Sequence, residues 1–375
     1  MEFTLSIWFN GIQPQFRTID GLSIRFAQSE DRDDHALLLS PWPESLFAFE
    51  PTWDRLAEHT HLVAIDLPGF GQSHRNDVEF AVEGGVTLRG WLFVPDGPPP
   101  HPAITMAHGF AGVKEHGLER FAAAFAAAGF VVLVHDHRGF GASGGAPRFD
   151  VDPWVQIADW RRAISFLESQ PVVDENRIGL WGTSYAGGHA IVLGATDRRL
   201  RAVVAQVPTI SGYQQSLRRV APDLVPALEA AFADDERRQF HGAPPATQAV
   251  VSADPSVPAA YRSPQALAFY TQPVPEGVWE NTMTLRSTRA ARMYEPGTWV
   301  ARVSPTPLLM IVGLHDTITV TDLALGAYEQ ALAPKKLVTI DGDHFDPYLT
   351  RFDESSGAAI AWFTEHLTPP TPQNR

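Results

Sequence analysis

Three residues far apart in the chain, Ser184, Asp316 and His344, could together carry out acyl transfer. A serine hydroxyl is a weak nucleophile until a base within hydrogen-bond reach takes its proton. That base is usually a histidine, kept in one tautomer by a buried carboxylate. Ser184 lies in Ile178-Gly-Leu-Trp-Gly-Thr-Ser-Tyr-Ala-Gly-Gly188, where an apolar run ends at Gly182 and a helix-like segment, His189 to Leu193, follows the small residues. Strand, sharp turn with a central serine, then helix is the context of a nucleophile elbow. The turn strains the serine backbone, so its neighbours must be small, and it lifts the hydroxyl clear at a helix N-terminus. The usual frame is G-x-S-x-G; here Ala186 takes the last position and Gly187 follows.

The other two members stand where such a site would need them. Asp316, in Gly313-Leu-His-Asp316, follows the apolar run Leu308 to Val312. His344, in Asp341-Gly-Asp-His344, follows Lys336 to Ile340. Taken singly, each has an ordinary reading: a glycine-rich turn, a loop aspartate, a surface or packing histidine. Taken in order, each just past its own strand, they form the Ser…Asp…His sequence of an α/β-hydrolase triad. The developing oxyanion needs two donors. One is expected from the backbone N–H of Tyr185. The other is expected from Phe110, in the loop His108-Gly109-Phe110 after the strand Ala103 to Ala107. His108 is expected to brace that loop rather than to bind metal.

Two motifs point elsewhere and are set aside. Gly139-Phe-Gly-Ala-Ser-Gly144 fits G-x-G-x-x-G, but no helix opens at once and no acidic residue ends a following strand, so dinucleotide binding is not expected. Asp136 and Arg138 are expected to brace this tight loop. His135 and His137 alternate with Asp136, but no H-E-x-x-H or distant partner cluster accompanies them, so a structural role is expected. No cofactor and no metal is predicted.

The elements that would position these groups alternate strand and helix, which implies a mostly parallel sheet covered on both faces. The helix from Leu118 carries Leu118, Phe121 and Phe125 at helical spacing and stops at Gly129. A long helix starts at Asp152-Pro153, with Trp154, Ile157, Trp160, Ile164 and Leu167 along its apolar face. Residues 36–73 and 103–143 share one βαβ plan, and close on the common frame D-x-x-G-F-G-x-S at Asp66 and Asp136. The chain therefore starts a fold twice, but only the second start leads to an elbow. In the first copy Ser40-Pro41-Trp42-Pro43 replaces the His-Gly loop, and its prolines lack the N–H donor. From Pro208 to Ser304 the rhythm breaks into short helical pieces with many aromatics, which reads as a lid. Tyr213, Trp279 and Tyr294 are its candidates for the substrate pocket.

The organisation expected is an incomplete accessory segment over 1–78, a catalytic core over 79–207 and 305–375, and a helical lid over 208–304. The 375 residues, 44% apolar and 19% charged, are those of an ordinary globular protein. A formal net charge of −14 argues against nucleic acid or an anionic membrane as partner. The absence of cysteine excludes disulfides and thiol nucleophiles. Met1 to Asn10 has neither a basic start nor a long apolar stretch, so a cytoplasmic location is expected. The first copy is read either as a lobe that packs on the sheet edge or mediates homodimerisation, or as a remnant with no separate role.

With these residues assembled, 79–367 resembles the α/β-hydrolase superfamily, most closely its dienelactone-hydrolase and prolyl-oligopeptidase-like branch. The resemblance is carried by His108-Gly109, by Asp136-x-Arg138-Gly-x-Gly141-x-Ser143, by Gly182-Thr-Ser-Tyr-Ala-Gly187, and by Asp316 and His344. Ser304-Pro-Thr-Pro-Leu-Leu-Met-Ile-Val-Gly313, with Pro334-Lys335-Lys336 and His344-Phe345, is similar to esterase-like and thiohydrolase-like members with helical lids. Residues 20–78 instead resemble the opening of a haloalkane dehalogenase or epoxide hydrolase, enzymes with an aspartate nucleophile that this elbow lacks. The resemblance implies cofactor-free hydrolysis of a small-molecule ester, thioester or lactone through an acyl-enzyme on Ser184. A peptidase or amidase using the same triad, and a non-catalytic binding protein on the same fold, are the alternatives.

Overall fold

The structure is a computed structural model that describes residues 12–19, 22–39, 46–66, 75–95 and 98–368. The chain forms two compact units, one of residues 1–76 with 93–96 and one of 77–92 with 97–375.

The first unit holds strands β1 (Gln15–Ile19), β2 (Leu22–Gln28), β3 (His35–Leu39) and β4 (His61–Ile65), with helix α1 (Glu50–Ala57) between the last two. The sheet order is β1-β2-β4-β3, and β3 and β4 pair in parallel. The β3-α1-β4 segment is thus the βαβ unit expected from its apolar runs. Ala27, Leu46, Trp53, Leu62 and Ala64 form its core. Asp66 is buried and accepts from the Leu46 N–H at 2.6 Å and from Arg25 Nε at 2.6 Å. The rest of the first D-x-x-G-F-G-x-S frame and Ser40 to Pro43 lie outside the described residues.

The second unit is built on an eight-stranded sheet. Its strands are β5 (Arg75–Ala81), β6 (Thr87–Phe93), β7 (His101–Ala107), β8 (Val131–His135), β9 (Val173–Thr183), β10 (Leu200–Gln206), β14 (Leu308–Gly313) and β15 (Lys335–Ile340). Their order is β5-β6-β8-β7-β9-β10-β14-β15, and the pairs from β8 to β15 are parallel. Central strands buried on both faces explain the unbroken apolar runs that marked them.

Helices α2 (Leu118–Ala127), α3 (Pro153–Glu168), α4 (Tyr185–Thr196), α9 (Thr321–Gln330) and α10 (Phe352–Leu367) accompany the sheet. On one face Phe121 and Phe125 of α2 meet Trp181 of β9, and Phe125 meets Phe363 of α10. A Cβ on Gly179 would come within 2.7 Å of Phe363, so that strand position must be bare for α10 to pack. The neighbouring position faces the other way: Trp160 of α3 donates its Nε1–H to the Thr105 hydroxyl at 2.9 Å. Asp152 caps α3 by accepting the N–H groups of Trp154 and Val155, as its Asp-Pro start predicted. One residue of the expected apolar face departs from it. Trp154 is 53% exposed because it lies at the first turn, where its ring meets Tyr294 edge-on.

Between β10 and β14 lies the cap, with helices α5 (Gly212–Arg219), α6 (Val225–Phe240), α7 (Pro264–Tyr270) and α8 (Leu285–Met293). It is not wholly helical. Strands β11 (Thr247–Val251), β12 (Ala259–Tyr261) and β13 (Met283–Thr284) form a three-stranded sheet within it. Strands of two to five residues carry too little alternation to stand out from loop in a sequence. No described helix is long and apolar enough to cross a membrane.

Five of the buried histidines of the second unit, His108, His116, His135, His137 and His189, share one electrostatic feature. Burial dominates their titration, holding His116 at a pKa of about 4 and His135 and His189 at about 3. His108 and His137 are lowered as well, again chiefly by burial. All five are neutral in the fold, whereas an unfolded histidine protonates below about 6.5. Their contribution to stability is therefore complete above that pH and is lost as pH falls towards 4 and 3. The melting temperature is expected to drop steadily from pH 6.5 to pH 4.5. His135→Phe tests the cause, since both His135 ring nitrogens lack a hydrogen-bond partner among the described residues and the ring sits against Phe80 and Trp160. A shallower slope in that variant is expected; an unchanged slope would remove His135 from the explanation.

Candidate active site

Ser184 sits between the last residue of β9 and the first of α4, with φ 56° and ψ −119°. A non-glycine residue in that region costs on the order of 1–3 kcal/mol and persists only where its surroundings fix it. Here they do. The Ser184 N–H donates to the Gln206 carbonyl at 2.8 Å, and its carbonyl accepts from Gly187, Gly188 and Thr209. A Cβ on Gly182 would fall 2.2 Å from the Ala186 carbonyl oxygen, and one on Gly187 would fall 2.9 Å from Pro208 Cα. Those two positions therefore require glycine. Ala186, fully buried, fits where the usual frame has its last glycine.

The three residues nominated for chemistry come together. His344 Nε2 lies 2.9 Å from Ser184 Oγ, and His344 Nδ1 lies 2.7 Å from Asp316 Oδ2. All three are buried. Asp316 Oδ1 accepts from the N–H groups of Ile318 and Thr319, and Oδ2 accepts from the Thr319 hydroxyl at 2.6 Å. Burial pushes the Asp316 carboxyl up, but facing His344 and the Thr319 bonds outweigh it and hold the pKa at about 2. A carboxylate is thus fixed against Nδ1, which leaves the unprotonated Nε2 to face the serine hydroxyl.

The two N–H groups expected as oxyanion donors are placed by two local devices. Tyr185 is the first residue of α4, so its N–H has no partner inside the helix. The Phe110 N–H donates to no carbonyl among the described residues. Its loop passes close to the serine because Gly109 has no side chain; a Cβ there would lie 3.0 Å from Ser184 Cβ and 3.3 Å from Oγ. His108 braces the loop as expected. Its Nδ1 bonds the Gly109 carbonyl at 2.9 Å and its Nε2 accepts the His137 N–H at 3.1 Å, which fixes the proton on Nδ1. The cap holds the same loop from above. Tyr270 donates its hydroxyl to the Phe110 carbonyl at 2.6 Å, and Trp279 donates Nε1–H to the Ala111 carbonyl at 2.9 Å. Ala111 itself has φ 50°, so these contacts pin a backbone that would otherwise relax.

The glycine-rich loop after β8 is likewise a brace. Asp136 accepts from the Lys114 N–H, from Lys114 Nζ and from the Ala142 N–H. A Cβ on Gly141 would stand 2.2 Å from Asp136 Oδ2. Arg138 forms a two-pronged pair with Asp159, both contacts at 2.6 Å.

A cavity of about 490 Å³ opens beside Ser184, lined by Phe110, Tyr185, Leu224, Leu228, Tyr261 and Ile318 among others. The three aromatics nominated for the pocket do not line it. Tyr294 is buried behind α4, its hydroxyl bonded to His189 Nδ1 at 2.8 Å. Tyr213 is 56% exposed on the outside of α5. Trp279 instead holds the loop after β7 through the Ala111 carbonyl. The cap ring that does line the cavity, beside Phe110 and Tyr185 of the core, is Tyr261.

The fold and this arrangement are those of the α/β-hydrolases, and the chain is a hydrolase. The profile of the X-Pro dipeptidyl-peptidase (S15 family) matches residues 84–346, and the chain belongs to that family. Residues 1–78 lie outside the match. Among individual proteins, the chain is 32% identical to a thiohydrolase of Eupenicillium brefeldianum, over 72% of this chain and 86% of that protein. It is 32% identical to the polyketide transferase grgF of a Penicillium species, over 72% of this chain and 90% of that protein. The crystal structure of the α/β-hydrolase GrgF from Penicillium sp. superposes with a TM-score of 0.69 at 27% identity, covering 78% of this chain and 99% of that one.

Proposed function

We propose that Ser184 is the nucleophile, His344 the general base and Asp316 the orienting acid of an enzyme that hydrolyses a thioester or ester of an apolar acyl group. The observation that carries this reading is the unbroken hydrogen-bond chain from Asp316 through His344 to Ser184, opening on a largely apolar cavity. Ser184 Oγ attacks the acyl carbon while its proton passes to His344 Nε2, and the carbonyl oxygen becomes an anion facing the Tyr185 and Phe110 N–H groups. Collapse expels the thiol or alcohol, which leaves with the proton from Nε2. Water then attacks the acyl-enzyme, gives a proton to Nε2, and the acid departs as Ser184 regains its hydrogen. The cavity volume falls within the range of small-molecule sites. The core of this enzyme is residues 79–207 and 305–375, the cap covers its cavity, and residues 1–78 are an accessory lobe.

The family name offers a second reading, cleavage of a dipeptide from a free amino terminus. Holding an ammonium group in a cavity calls for a facing carboxylate, and among the described residues no aspartate or glutamate lines this one. Thioester and ester hydrolysis is therefore favoured. A panel of an octanoyl thioester, an octanoyl p-nitrophenyl ester and an X-Pro p-nitroanilide tests it. Turnover of the first two with negligible cleavage of the third is expected; faster release from the anilide would overturn the proposal.

A further inference from the structure

We infer that the cavity beside Ser184 selects substrates that carry an anionic oxygen group, and that Arg219 is the residue that binds it. This rests on Ser184 acting as proposed above. The chain carries a formal net charge of −14, yet Arg219, Arg262 and Arg292 line the cavity and, among the described residues, no acidic residue does. The three arginines are not equivalent. Arg262 spends its guanidinium on the carbonyls of Asp254 and Val257, at 2.7 and 2.6 Å. Arg292 lies 3.3 Å from Glu229, which offsets its charge. Arg219 has no carboxylate within ion-pair distance among the described residues, and neighbouring Arg218 already holds Asp322 in a fork at 2.6 and 2.7 Å.

Arg219 is also held in place. It donates through Nη2 to the Ile318 carbonyl, two residues from Asp316. Its Cζ lies 5.0 Å from the centroid of the Tyr261 ring. Tyr261 stands edge-on to Phe110 at 6.0 Å, and Phe110 edge-on to Tyr185 at 5.2 Å. A wall of rings thus runs from the guanidinium to the two residues whose N–H groups face the reacting oxygen. A guanidinium held by the Ile318 carbonyl and by the ring and hydroxyl of Tyr261 still keeps N–H donors for a ligand out of its five, and a planar fork suits a carboxylate or phosphate. Leu224, Leu228 and Ile318 offer apolar surface for the chain between the two ends. The substrate class that fits has its acyl carbon at Ser184 and an anion beyond an apolar spacer. A carboxylate ending the acyl chain is the source we commit to; a phosphate on the leaving group would engage the same guanidinium.

Matched substrates separate these cases. Octanoyl and suberoyl thioesters of N-acetylcysteamine differ only in the terminal carboxylate, while octanoyl-coenzyme A carries its anions on the leaving group. A charged hydrogen bond contributes about 1.5–3 kcal/mol, so kcat/KM for the suberoyl thioester is expected to exceed that for octanoyl by roughly tenfold or more. The gain should appear mainly in KM, because the anion is far from the reacting atoms. In Arg219→Met the suberoyl-to-octanoyl ratio should fall to near one, and Arg219→Lys should restore part of it. A preference for octanoyl-coenzyme A lost in Arg219→Met would place the anion on the leaving group and keep the role of Arg219. Equal loss on charged and neutral thioesters in Arg219→Met, as expected if the side chain merely holds the Ile318 loop, would overturn the inference, as would a ratio of one in the parent enzyme. Failure to hydrolyse octanoyl thioester at all would instead count against the catalytic reading.

Discussion

Ser184→Ala is expected to lower kcat by about 10³- to 10⁶-fold, leaving only what the oxyanion donors and the cavity supply by binding. The substitution removes one oxygen and nothing that holds the elbow. The strained φ of 56° is fixed through backbone bonds to Gln206, Gly187, Gly188 and Thr209, and none of them involves the side chain. The variant should therefore melt within a degree or two of the parent, so that lost turnover reflects chemistry and not folding. Labelling by a fluorophosphonate reports on the same atom independently. The parent should gain one adduct, mapped by mass spectrometry to Ser184, and the variant none. Turnover that survives undiminished in Ser184→Ala, or an adduct on another serine, would refute the assignment.

Asp316→Asn is expected to cost about 10⁴-fold in kcat, through the tautomer of a ring it does not chemically touch. Oδ1 receives the N–H groups of Ile318 and Thr319, so the asparagine carbonyl oxygen must occupy that place. The amide NH₂ then takes the place of Oδ2, against His344 Nδ1 and the Thr319 hydroxyl. Thr319 can adapt, because its hydroxyl also reaches the Val207 carbonyl at 3.1 Å and can accept from the new amide. His344 cannot adapt without harm. Facing a donor, Nδ1 becomes an acceptor, the proton moves to Nε2, and Nε2 can no longer take the proton of Ser184. The expected signature is a large fall in kcat with KM and melting temperature little changed. A loss smaller than tenfold would show that Asp316 does not set the tautomer.

What the sequence makes legible follows from how local each signal is. Ser184, Asp316 and His344 each lie just past a strand whose apolar run is evident, and a parallel sheet brings such ends to one edge. Phe110 is legible through the neighbouring His108-Gly109, because a loop that must approach the Ser184 side chain so closely needs a bare glycine. The pocket is not legible in the same way. Which face Tyr213, Tyr261, Trp279 and Tyr294 present is decided by how the cap helices and its small sheet pack, and no period in the sequence encodes that. Tyr294 serves His189, Trp279 serves Ala111, and Tyr261 alone of these lines the cavity. Arg219 carried no signal either, since an arginine at a helix C-terminus is ordinarily explained by the helix itself.

The route of the chain around the cap has a bearing on inheritance. The cap spans the connection between β10 and β14, neighbouring strands in which Val203 pairs with Leu308. A single recombination event at its borders could deliver a new cavity to an old triad, and substrate range could then diversify faster than the chemistry beneath it. Yet the same exchange would remove Tyr270 and Trp279, whose bonds to the Phe110 and Ala111 carbonyls hold the loop beside Ser184. A transplanted cap therefore works only if it brings two donors to those carbonyls. That requirement limits which caps can be traded among relatives and gives a concrete rule for building chimeras.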